Sequence, residues 1–235
     1  MKGFNLLLSA LIPAALVYSS ASLAVSEAPL ITASIQKELT PDQMLNRLID
    51  GNKRFIKHQR LPTDLIKKAG LSAKGQYPGA IVLSCIDSRI PPEIVFDQNV
   101  GNIFVTRIAA NVFDSDVLGG MEFSTKVAGA KLIVVMGHDA CGAVRGACQD
   151  VKLGHLTALL AKVQPAIVQA TKTLGKKDCN SEKFIDTAAA DNVRNVVKMI
   201  PKESPVIREL IQEGKLKIVG AMYDLQTGKV VFFNH

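Results

Sequence analysis

Three short runs constrain the fold more than any other feature of the chain: Ala80–Ser84 (AIVLS), Ile103–Thr106 (IFVT) and Leu132–Met136 (LIVVM). Each is apolar at successive positions, so an extended segment of this kind needs cover on both faces. That pattern belongs to strands inside a parallel sheet with helices on either side. Helical spacing of apolar residues separates and follows them, at about 117–129, 139–148, 153–173, 182–200 and 204–213. Upstream, Thr40-Pro41-Asp42 combines a good N-cap, a first-turn proline and an acidic residue at the positive helix end. Met44, Leu45, Leu48, Ile49, Phe55 and Ile56 carry that helix on, with Gly51 as a weak point. Residues 59–78 hold Pro62, Gly70, Gly75 and Pro78 and read as a loop or short turns. Lys217–Asp224 and Lys229–Phe233 flank Gln226-Thr227-Gly228 as a hairpin. The expectation is one α/β domain: a mostly parallel central sheet flanked by helices, with an N-terminal helical arm.

Composition narrows the function by exclusion. At 235 residues and 48% apolar, the chain can bury a full core, and a disordered or disulfide-dense scaffold is excluded. The net charge of +7 is spread over single or paired basic residues such as Lys53-Arg54 and Lys67-Lys68. With no Trp and three Tyr, a stacking surface for single strands is poorly supplied, and no nucleic-acid partner is expected.

The first residues read as an address. Lys2 precedes a mostly apolar stretch from Phe4 to Val17, and small residues end it, with Ala24 after Ser22 as a cleavage site and Ala21 after Ser19 as a second. Asn5, Ser9 and Pro13 interrupt the stretch, which is too short to span a bilayer comfortably. Residues 1–24 are therefore expected to be a signal peptide, 25–38 a leader segment and 39–235 the functional domain. The destination would be a periplasm or the outside, with no membrane attachment after cleavage.

Four cysteines stand at 85, 141, 148 and 179. In an exported chain two disulfides are the default. Cys85, however, ends the first apolar run and opens Cys85-Ile86-Asp87-Ser88-Arg89, while Cys141 follows the third run in Gly137-His138-Asp139-Ala140-Cys141-Gly142. Both sulfurs thus fall at carboxyl ends of buried parallel strands, where open α/β sheets place their sites. His138 and Cys141 can face one point across a strand-to-helix turn. Two thiolates and one imidazole make a tetrahedral zinc set with one position vacant, the arrangement of catalytic zinc. A cysteine-phosphatase loop needs five residues between Cys and Arg, and only three separate Cys85 from Arg89. Cys148, seven residues past Cys141, is too far along a helix to share the metal; it and Cys179 are either free or joined by a disulfide.

From about Thr40 to Phe233 the chain resembles the β-class carbonic anhydrases. The likeness runs through Cys85-Ile86-Asp87-Ser88-Arg89-Ile90-Pro91-Pro92-Glu93, Phe104-Val105 with Arg107 and Asn111, Gly137 to Ala143, Asp191-Asn192-Val193, Val219 to Asp224 and Thr227-Gly228. The resemblance implies one Zn2+ per subunit on Cys85, His138 and Cys141, and reversible hydration of CO2 to bicarbonate and a proton by zinc-bound hydroxide. Asp87 and Arg89 match a pair in which Arg holds Asp away from the metal; in a closed state Asp87 becomes the fourth ligand. Gln76 matches a residue that binds bicarbonate from across a dimer interface. Phe104 matches a pocket wall; Ala109 stands where Val is frequent and Phe123 where Tyr is frequent. The resemblance also implies a homodimer or homotetramer. Two thiolates offset the charge of the dication, so its water should titrate somewhat above the value of about 7 found with three imidazoles, and activity should rise on the alkaline side. Two alternatives stay open: hydrolysis of a CO2-like molecule such as carbon disulfide or carbonyl sulfide, and a non-catalytic zinc- or bicarbonate-binding protein.

Overall fold

The apolar runs pair side by side. In a computed structural model, which describes residue 27 and residues 29–233, five strands form one sheet: β1 (Ala80–Ser84), β2 (Ile103–Arg107), β3 (Leu132–His138), β4 (Lys217–Tyr223) and β5 (Val230–Phe232). Their order is β2-β1-β3-β4-β5, with β5 alone antiparallel to its neighbour. Every residue of β1 and β3 is buried. Alternation along these strands divides the core into two layers. Ala80, Val82, Leu132, Val134 and Met136 join one layer, and Ile81, Leu83, Ile133 and Val135 the other. The signal-peptide reading of residues 1–24 lies outside the described residues.

Ten α-helices among the described residues flank the sheet: α1 (Ala33–Glu38), α2 (Pro41–Ile56), α3 (Leu65–Ser72), α4 (Pro92–Val95), α5 (Ser115–Glu122), α6 (Gly142–Cys148), α7 (Gly154–Ala161), α8 (Gln164–Leu174), α9 (Glu182–Glu203) and α10 (Pro205–Gln212). The start of α2 is a full capping box between Thr40 and Gln43, with Pro41 in the first turn. Gly51 has a packing reason, because a Cβ there would lie 1.8 Å from the carbonyl oxygen of Phe96. Opposite it, the buried amide of Asn52 ties the arm to the hairpin, donating to Gly228 O at 2.8 Å and accepting from Val230 N–H at 2.8 Å.

Four segments differ from the sequence reading. The stretch taken as a leader is packed onto the domain from Pro29 onward: Ile31 is buried, and Gln36 donates to Pro78 O and Ala128 O at 2.8 Å each. Residues 59–78 contain α3, capped by Asp64 on Lys67 N–H; Gly70 is tolerated on an open face of that helix. The long pattern over 153–173 divides between α7 and α8 near Lys162, because Pro165 lacks an N–H and fits only a first helical turn. The helix expected from 139 starts at Gly142, since Ala140 takes a left-handed conformation with φ 48°. No helix among the described residues is long and apolar enough to cross a membrane.

Candidate metal centre

The sheet register brings the site together. Ser84 of β1 pairs with Met136 of β3, so the next residues of both strands, Cys85 and Gly137-His138, emerge side by side at the carboxyl edge. Cys141 is the N-cap of α6, one turn of chain later. The two sulfurs and an imidazole nitrogen lie within 4.8 Å of one another, on the scale of a zinc tetrahedron with edges of about 3.5–3.8 Å. All three residues are buried, and both cysteines are free thiols. His138 Nδ1 donates to the carbonyl of Asp139 at 2.8 Å, which leaves the lone pair on Nε2. That Nε2 is buried with no hydrogen-bond partner. Burial of an unpaired acceptor costs about 1–3 kcal/mol unless a proton or a metal meets it.

The charges fit the same purpose. Cys141 and, against the cost of burial, His138 hold the Cys85 thiol well below its ordinary range, while Cys85 and burial push Cys141 up. A divalent cation would hold both sulfurs as thiolates. Burial opposes charge on His138, but contact with Cys85 and the field of Asp87 outweigh it and raise its pKa.

Beside this cluster, Arg89 grips Asp87 through two parallel bonds, Nε to Oδ1 at 2.9 Å and Nη2 to Oδ2 at 2.7 Å, and its backbone N–H adds a third at 3.0 Å. This holds the Asp87 carboxyl well below the usual carboxylate range. Asp87 Oδ2 lies 3.9 Å from His138 Nε2. Arg107, given no role in the sequence reading, donates to the carbonyls of Cys85 and Asp87 and fixes the backbone between them. A cavity of about 490 Å3 opens next to the cluster, bordered by Cys85, Ile86, Asp87, Ala109, Gly142 and Ala143. Of the residues assigned to a pocket wall from sequence, Ala109 is there. Phe104 and Phe123 pack edge-on against each other, ring centres 6.4 Å apart, away from the lining; Phe104 points to the other core layer because strand alternation turns it from Ile103 and Val105. Gln76 lies exposed on the surface, also outside the lining. Cys148 and Cys179 are joined as a disulfide.

Comparison with known proteins closes the question of family. The carbonic anhydrase family model matches residues 80–230. "Carbonic anhydrase 2" of Mycobacterium tuberculosis is 37% identical over 195 residues, covering 80% of this chain and 90% of that protein. A crystal structure of a β-carbonic anhydrase of Aspergillus fumigatus superposes with a TM-score of 0.65 at 27% identity, over 72% of this chain and 81% of that one. The chain belongs to the β-carbonic anhydrases. A carbonic anhydrase of Mycolicibacterium smegmatis is 36% identical over 80% of this chain and 91% of its own length. Tetrameric β-carbonic anhydrases of Sordaria macrospora match with a TM-score of 0.65 at 27% identity, over 71% of this chain and 85% of theirs. β-Carbonic anhydrases are zinc enzymes, and the orphaned His138 Nε2 between two free buried cysteines fits that ion.

Proposed function

We propose that this β-carbonic anhydrase interconverts CO2 and water with bicarbonate and a proton, with one zinc ion per subunit on Cys85, His138 and Cys141. The observation that carries the reading is the buried, partnerless Nε2 of His138 facing two free thiols beside a bidentate Asp87–Arg89 pair. When bound, zinc supplies a nucleophile near neutral pH by acidifying water. The chain supplies the rest. Arg89 keeps Asp87 from becoming a fourth ligand, which favours an active site over a merely zinc-binding one. Asp87, held anionic, would accept a hydrogen bond from the nucleophile and so orient its lone pair toward the substrate. Ala109, Ile86 and Ala143 give the cavity an apolar wall suited to an uncharged, nonpolar substrate.

The same proposal extends to assembly and address. Homodimers, or homotetramers like those from Sordaria macrospora, would place Gln76 of one subunit near the site of another. Residues 1–24 act as an export signal, and the Cys148–Cys179 disulfide supports an oxidising destination, periplasmic or secreted. Stopped-flow CO2 hydration on the mature protein, with zinc quantified in parallel, tests the activity. Stoichiometric zinc without hydration would overturn it. Intact mass of the exported form tests the signal, and a mass that retains residues 1–24 would overturn that part.

A further inference from the structure

The turn between two of the metal ligands has an irregular backbone. Ala140 sits at φ 48°, a left-handed conformation that costs a residue with a Cβ, and it is flanked by His138 two residues before and Cys141 directly after. Such a conformation persists only where its surroundings over-determine it. On one side, Asp139 donates its N–H to Tyr223 O at 3.2 Å and accepts the N–H of Leu225 on Oδ1 at 2.8 Å. On the other side, Asp186 Oδ1 accepts the N–H of Ala140 itself at 2.8 Å. Asp186 stands in the second turn of α9 between the buried Ile185 and Ala188, so its own position is firm. The start of α9 is in turn fastened to α6. Arg145 Nη1 donates to Cys179 O at 2.8 Å, and the Cys148–Cys179 disulfide joins the far end of α6 to the segment before α9. The turn before α6 is therefore tied to α9, and the middle and end of α6 to the segment that leads into α9.

We propose that Asp186 is a positioning residue for the metal: its carboxylate holds the 138–141 turn in the conformation that aims His138 and Cys141 at one point. The proposal rests on the zinc reading above. Neither composition nor spacing links Asp186 to the site, since it lies 46 residues from Ala140. Without its acceptor, the Ala140 N–H turns to water, which satisfies the hydrogen bond and leaves the direction of the peptide free. The turn then relaxes toward ordinary backbone, and Cys141 loses its fixed bearing relative to His138. The expected consequence is faster loss of metal.

The test uses the holoprotein and an excess of chromogenic chelator, following zinc release from wild type, Asp186→Ala and Asp186→Asn. Asp186→Ala should release zinc roughly tenfold faster, while Asp186→Asn, which keeps an acceptor oxygen in place, should stay within about twofold of wild type. Cobalt-substituted Asp186→Ala should show weakened visible bands, and Asp186→Asn should restore them, a signature that a change in global stability would not produce. Release from Asp186→Ala at the wild-type rate, or an Asn variant as fast as the Ala variant, would overturn the proposal. A wild-type protein that retains no zinc at all would overturn the ligand assignment and this proposal with it.

Discussion

Arg89 gives Asp87 three hydrogen bonds within a stretch of five residues that also contains a ligand cysteine, and this crowding sets the most decisive substitution. In Arg89→Ala the carboxylate, already 3.9 Å from His138 Nε2, has lost its competing partner and is free to close the metal's open position. Near-stoichiometric zinc with a hydration rate down by about a hundredfold or more is expected; adding Asp87→Ala should reopen the position and recover part of the rate. Zinc analysis beside stopped-flow rates separates the two effects, and near-normal rates in Arg89→Ala would remove the pair from the mechanism. Cys85→Ser, His138→Ala and Cys141→Ser should instead lose zinc and activity together. The pH behaviour follows from the direction of the Asp87 shift. Its folded pKa lies below the unfolded value of about 3.9, so the pair stabilises the fold above that value and loses its contribution as pH falls further. Asp87 is therefore ionised throughout the neutral and alkaline range, and a loss of rate near neutrality belongs to another group. The convergence of Cys85, His138 and Cys141 was legible in the sequence because strand ends announce where side chains meet. Arg107 and Asp186 were not, since each acts on a backbone carbonyl or N–H that carries no residue-type signal.

At the scale of elements, strands were easier to read than the chain before them. A strand buried on both faces has one composition, whereas α1 and α3 are short helices whose polar faces and nearby Pro62, Gly70 and Gly75 look like loop. Tertiary contacts, such as Gln36 on Pro78 O, decide those segments and leave no periodic trace. Gly51 illustrates the same limit in reverse, because a residue that weakens a helix locally is what lets α2 approach α4. Gly51→Ala should cost about 3 kcal/mol, seen as a lower urea midpoint, because the clash is with backbone and no side chain can yield. The disulfide between α6 and the segment before α9 closes a separation of 31 residues. Reduction by a dithiol should lower stability by about 3–4 kcal/mol through the freed unfolded chain. Comparing urea unfolding of oxidised and reduced protein checks this, and an unchanged midpoint would show that the bond adds nothing to packing already complete without it.

Several large apolar side chains lie open on the surface of the molecule. Ile86, between a ligand cysteine and Asp87, is 64% exposed, and Phe123 and Val127 lie open at 50% and 72%. Phe123 packs on Phe104 along β2, the outermost strand on that side of the sheet, so an apolar patch and a sheet edge coincide. A second subunit seated there would cover the patch. Phe123→Asp places a charge in that patch without touching the zinc cluster or its hydrogen-bond partners. The expected outcome is a smaller species by sedimentation equilibrium, with zinc content unchanged and hydration rate reduced, because in the proposed assembly Gln76 reaches the site from the neighbour. A wild-type protein that sediments as an active monomer would remove Gln76 from substrate binding and leave the exposed phenylalanine without this explanation.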